Sequence, residues 1–173
     1  TIDPPAMSKL DQLPAVVEAG CPTLKLYMAY GMRLKDDELL RALQAVKQVG
    51  GLPVIHAENW DIICALIEQN LAAGRSTPRW HPRSRPAPLE GEAAGRAIDI
   101  AAYVGVPLHI FHVGCQEVVD RITTARRQGL PSTGETCPHY LLLDDTVYDR
   151  PGVEGALPVC APPVRPRAQP ALM

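Results

Sequence analysis

The run TLKLYMA, residues 23–29, alternates in character. Leu24, Leu26 and Met28 fall on one face, and Thr23, Lys25, Tyr27 and Ala29 on the other. A period of two predicts a strand. LPVIH (52–56) and PLHIFHV (107–113) read as two more, and PSTGETCPHYLLL (131–143) holds a fourth strand or strand end. Between these runs the period lengthens. In KDDELLRALQAVKQVGG, Leu39, Leu40, Leu43, Val46 and Val49 recur at helical spacing, and a double glycine closes the run. AENWDIICALIEQNLAAG sets Ile62, Ile63, Leu66, Ile67 and Leu71 on an amphipathic helix ended by Gly74. LEGEAAGRAIDIAAYVG and QEVVDRITTARRQG predict two further helices. A short helix is expected within residues 8–19, with Pro14 near its true start. Residues 75–88 carry four prolines and four arginines, which excludes regular structure and predicts a long functional loop. No element is assigned beyond residue 144.

Helices alternating with short apolar strands predict an α/β fold with a parallel sheet buried on both sides. About four strands are expected, half of what a (β/α)8 barrel needs. No G-x-G-x-x-G follows a strand and no G-x-x-x-x-G-K-[ST] occurs, so a nucleotide-binding sheet has no support beyond alternation.

Composition narrows the picture. The 173 residues, 46% of them hydrophobic, suffice for one domain with a real core, and no second domain is visible. A net charge of −2 gives no electrostatic reason to expect nucleic acid or a membrane surface as partner. Five dispersed cysteines, never spaced C-x-x-C, argue against a disulfide framework or zinc knot and point to a reducing cytoplasm. The chain begins TIDPPAM and stops at RAQPALM, which raises the expectation of a piece of something longer.

Three residues stand where chemistry is expected. Lys25 lies inside one strand, His56 ends a second and His112 stands near the end of a third. Residues at the carboxyl ends of strands line the crevice of α/β folds, and ligands converging from separate strands are what a barrel metal site requires. Each also has a plainer reading: a lysine guarding a sheet edge, a histidine capping a strand in water. By alternation His109 points away from His112 and is taken as structural. His81 could touch a substrate and the arginines Arg75, Arg79, Arg83 and Arg85 could hold a phosphate or carboxylate; loop decoration and solvated charge are the plainer readings and are preferred.

The wording around these residues carries more. TLKLYMAYG, VIHAENWDII, HPRSRPAPLEGEAAGRAI, IFHVG, GETCPHYLLLDD and APPVRP occur in this order over nearly the whole chain. Together they resemble the dihydropyrimidinase and hydantoinase family of cyclic amidohydrolases. The resemblance implies part of a (β/α)8 TIM-type barrel, strand–helix units around its third to seventh strands. It also implies a hydrolase opening the C–N bond of dihydropyrimidines or hydantoins at a binuclear zinc site. In the family a lysine in the position of Lys25 is carboxylated and bridges two metals, while residues matching His56 and His112 are metal ligands. Tyr30 matches the tyrosine that hydrogen-bonds the developing oxyanion and touches substrate. Where the family has a substrate-holding serine before its PPLR stretch, this chain has Ala161, which puts substrate preference in doubt.

Two family features are absent: no His-x-His occurs, and no aspartate follows Arg165. The expectation is therefore a central stretch that does not catalyse alone, belonging to a protein usually tetrameric at full length. An allantoinase, a dihydroorotase or a non-catalytic scaffold relative are the alternatives; the tyrosine of MAYG favours the hydantoinase branch.

Overall fold

The computed structural model describes residues 1–166. Four strands form one parallel sheet in chain order: β1 Thr23–Tyr27, β2 Leu52–His56, β3 Leu108–Ile110 and β4 Ser132–Gly134. Lys25 pairs with Val54, Val54 with His109, and His109 with Thr133, so one layer of side chains runs across all four strands. Ile2 bridges to Leu26 at the outer side of β1.

Six helices connect or flank the strands: α1 Leu13–Glu18, α2 Asp36–Gln48, α3 Trp60–Ala72, α4 Ala87–Val104, α5 Gln116–Arg127 and α6 Pro138–Leu142. The helix expected over 8–19 is cut down. A 3-10 segment, Pro5–Gln12, leads into α1, and the break falls at Lys9, whose φ of −125° is not helical. Pro14 occupies the first turn of α1, where its missing N–H costs nothing. Asp36, Asp37 and Glu38 crowd the positive end of α2, and the Glu38 carboxylate accepts the Lys35 N–H at 2.9 Å. The Asn59 side chain caps α3 by accepting from the Ile62 N–H.

The core lies between the sheet and its helices. Leu24, Leu26, Ile55, Leu108 and Ile110 meet Leu39, Leu43 and Val46 of α2 and the alanines Ala93, Ala94 and Ala97 of α4. Small residues let α4 lie close to its neighbours: a Cβ on Gly91 would stand 2.7 Å from the Glu117 Cβ of α5. The stripe read on α3 is only partly used; Ile63 is fully buried, while Ile62 and Leu71 are exposed. Residues 75–88 depart from the expectation of no regular structure. They contain two single 3-10 turns, Pro78–Trp80 and Pro82–Ser84, and α4 already begins at Ala87. Trp80 anchors the first turn, with the guanidinium carbons of Arg75 and Arg83 at 4.5 and 5.1 Å from its ring.

The opposite face of the sheet is concave. Thr23, Lys25, Tyr27, Leu52, Val54, His109, Phe111 and Glu135 line a recess of about 540 Å³. After β4 the chain crosses the carboxyl ends of the strands through α6 and short 3-10 turns. It builds a second small core of Val147, Tyr148 and Val164 there. Among the described residues no helix is long and apolar enough to cross a membrane.

Candidate active site

His56 ends β2 and His112 follows β3 by two residues. Strict alternation would turn His112 away from the concave face. Its backbone instead takes a left-handed φ of 41°, and the imidazole swings back over the strand ends. His56 Nδ1 and His112 Nε2 then face each other at 2.9 Å. The other nitrogen of His56 is 2.8 Å from Glu58 Oε2, inside a pocket where both residues are almost fully buried.

Alternation places His109 correctly on the concave face. That residue shares the concave layer with Lys25, and its ring reaches Thr133 Oγ1 at 2.9 Å and Glu135 Oε2 at 3.3 Å. The left-handed residue at His112 breaks the rule that had separated the two histidines.

Lys25 projects from the middle of β1. Its Nζ lies 3.3 Å from the centroid of the Phe111 ring and 5.4 Å from that of Tyr27, and has no hydrogen-bond partner. Burial pulls this ammonium down to about 8, against a smaller upward pull from Glu135. His112 is pushed down to about 3 by burial first, then by His56 and by Lys25, and its Nδ1 is also buried without a partner. The His112 imidazole is held neutral, whereas the Lys25 ammonium is made easier to deprotonate.

Tyr30 adopts a φ of 68°, which turns its ring over the end of β2, 5.3 Å from the His56 ring and 4.9 Å from Trp60. Its hydroxyl donates to Glu58 Oε2 and accepts from Arg85 Nη1, both at a long 3.3 Å. Burial and the Glu58 carboxylate push it up to about 12, so the proton stays on oxygen.

Glu58, Arg85, Glu90 and Arg165 are the residues that local pattern missed. Arg85 is not the solvated loop charge that its surroundings favour: it is 7% exposed and holds a carboxylate, its Nη1 reaching both Glu58 oxygens at 3.1 and 3.0 Å. Burial would raise the Glu58 carboxyl, but the His56 hydrogen bond and the Arg85 charge hold it below the usual range. Arg165 donates to the Arg85 carbonyl and, at 2.6 Å, to Glu90 Oε2, while Glu90 Oε1 accepts the Gly114 N–H at 2.8 Å. Burial alone would lower the Arg165 guanidinium; Glu90 reverses this and raises it. All four residues lie inside quoted motifs, the one sequence signal that could have flagged them.

Ala161 lies in the segment that docks on the turn after His112. A Cβ on Gly114 would stand 3.1 Å from Pro162 Cβ, so a side chain there would push the segment back by a few tenths of an ångström. His81 is not mobile decoration, for its Nε2–H donates to the Cys160 carbonyl at 2.7 Å.

Among the described residues no group of three or more His, Cys, Asp or Glu side chains converges as a ready metal cage. The donor chemistry nonetheless fits a borderline divalent cation. Two imidazole nitrogens face each other, one ring is braced by a carboxylate in the manner of metal-binding histidines, and a buried amine beside them lacks a hydrogen-bond partner.

No family model matches the chain. Sequence relatives do. The D-hydantoinase of Streptomyces coelicolor is 44% identical over 166 residues, 95% of this chain and 36% of that protein. The D-hydantoinase of Geobacillus stearothermophilus is 42% identical over 159 residues, 90% of this chain and 34% of that protein. The solved dihydropyrimidinase from Brevibacillus agri NCHU1002 superposes with a TM-score of 0.93 at 39% identity, covering 98% of this chain and 37% of that one. The D-hydantoinase from Bacillus sp. AR9 gives 0.92 at 39% identity, over 95% of this chain and 37% of that one. Sheet and helices together define an α/β chain with the fold of part of a (β/α)8 barrel. The chain belongs to the D-hydantoinase and dihydropyrimidinase family. It spans about a third of the length of the curated relatives it matches.

Proposed function

We propose that this chain supplies part of the active site of a cyclic amidohydrolase that opens the C–N bond of hydantoins or dihydropyrimidines. The observation that carries the reading is His56 Nδ1 facing His112 Nε2 at 2.9 Å beside the unpartnered Lys25 amine, on a fold shared with D-hydantoinases.

His56 and His112 would hold one zinc ion, and Lys25, as a carbamate, would bridge it to a second. With its ammonium lowered to about 8, Lys25 has a minor but accessible neutral fraction near neutrality, far larger than that of an ordinary lysine. Its amine nitrogen attacks the carbon of carbon dioxide, one proton leaves to solvent, and the carbamate carries a single negative charge. Bound metal supplies Lewis acidity toward an amide carbonyl and an activated water at neutral pH.

Tyr30 keeps its proton and can donate it in a hydrogen bond to a carbonyl oxygen as negative charge develops there. Its two present bonds are long, so the exchange costs little. Arg85 and Glu58 hold the ring in place meanwhile. The chain contains no His-x-His, the pair that the family resemblance assigns to the second metal. The 173 residues alone are therefore expected to bind one metal ion and to turn over no substrate.

The test is a graft. Residues 1–166 replace the corresponding third of the Streptomyces coelicolor D-hydantoinase, and ring opening of hydantoin and dihydrouracil is followed. The graft should be active. Lys25→Ala and His56→Ala should each lower its rate more than about 100-fold, beyond the usual cost of an outer-shell partner. A graft that folds and binds zinc yet opens neither ring would overturn the proposal.

A further inference from the structure

Four ionisable side chains near the strand ends form one buried polar chain: Glu58 is 1% exposed, Glu90 3%, Arg165 5% and Arg85 7%. Burying this much charge is costly unless each member is partnered. The partners are here, and they converge on His56. Arg85 Nη1 touches both Glu58 oxygens, so the carboxylate cannot rotate freely. Arg165 in turn donates to the Arg85 carbonyl and is anchored by Glu90.

A carboxylate paired with a guanidinium has no proton to give. The contact between Glu58 Oε2 and His56 Nε2 at 2.8 Å must therefore be donated by the imidazole. That leaves the Nδ1 lone pair of a neutral His56 aimed at His112 Nε2, 2.9 Å away. A neutral His112 must then donate its Nε2–H to that lone pair, its Nδ1 having no hydrogen-bond partner. Both rings are thus set as Nε2–H forms, His56 by Glu58 and His112 by His56.

We infer that Glu58, clamped by Arg85, is a positioning residue that fixes neutral His56 as its Nε2–H tautomer and so selects Nδ1 as the ring's donor atom. Arg85 is the orienter of Glu58 and acts on His56 only through it. The inference deepens the metal-site reading and names a residue for which neither local pattern nor the family resemblance gave a role. Its evidence is the hydrogen-bond chain and does not require that a metal be bound.

Nitrogen-15 NMR of the histidine rings in the whole chain, at mildly alkaline pH and without metal, reads the tautomer directly. The unsubstituted chain should show His56 as a single Nε2–H form. Glu58→Gln, which keeps an acceptor oxygen, should retain that form, whereas Glu58→Leu should give a mixture. If Glu58→Leu fails to fold, Arg85→Lys provides the second reading. Its freer ammonium should loosen the carboxylate and admit a measurable share of the other tautomer. A tautomer mixture in the unsubstituted chain, or an unchanged Nε2–H form in both Glu58→Leu and Arg85→Lys, would overturn the inference. Cobalt titration of the same samples reports separately on the metal reading. If no cobalt binds while the tautomer follows Glu58, the proposed metal site fails and the positioning role stands.

Discussion

The two sides of this sheet's carboxyl-terminal half are built from opposite materials. Towards the helices, Leu26, Ile55 and Ile110 are sealed by Leu39, Leu43 and the alanines of α4, with no polar group to satisfy. Above the strand ends, Glu58, Arg85, Glu90 and Arg165 are almost as deeply buried, yet each is held by directed hydrogen bonds or ion pairs to another member. The apolar side gains from area removed from water and tolerates shape changes at moderate cost. The polar side gains little net energy, but losing one member strands a charge. Stability sits in the first region and geometry in the second.

The largest expected effect tests the brittle side. Arg165→Met leaves the Glu90 carboxylate buried without its cation and should cost about 4 kcal/mol in urea unfolding. Adding Glu90→Leu should return part of that loss. Recovery will be incomplete, because the Gly114 N–H loses its acceptor. If the single variant costs under about 1 kcal/mol, the contrast between the two regions is wrong.

Leu43→Ala, in the middle of α2 and fully buried, should cost about 3 kcal/mol through lost transfer energy and a residual cavity. It should leave the His56 tautomer unchanged, since nothing in the polar chain touches it. A changed tautomer would show that the two regions are coupled.

The smallest effect concerns pH. Burial lowers the His81 imidazole below its ordinary value, more than the Cys160 carbonyl raises it. Between that lowered value and about 6.5 the unfolded chain binds more protons than the folded one. Its contribution to stability is therefore complete above about pH 6.5 and falls as the solution is acidified below it. His81→Gln keeps a donor without titrating. The melting-temperature difference between it and the parent chain should shift against the parent as pH drops from about 7 to 5.5. A constant difference would mean that His81 does not titrate as its burial requires.

Periodicity made the framework legible. The period of two around Lys25 and the period of 3.6 around Leu43 place β1 and α2 within a residue or two. LPVIH matches β2 at both ends. These features depend on neighbours two to four positions away, which is why a single sequence contains them. Lys25 and His56 stand out as candidate donors by their positions in and at the end of strands, and Tyr30 only through the motif around it.

The rest was settled by contacts across the chain. Nothing in the letters IFHVG states that His112 takes a left-handed φ and turns back to His56. Arg85 reads as loop charge until Glu58, 27 positions earlier, is brought beside it. Arg165 lies 75 positions from Glu90. An arginine or glutamate has the same sequence signature in water as in a buried pair. Only the fold, by closing those separations and excluding solvent, determines which of them it becomes. The sequence alone determined the alternating elements and the candidate donors; the tertiary structure decided which donors face one another and what holds them there.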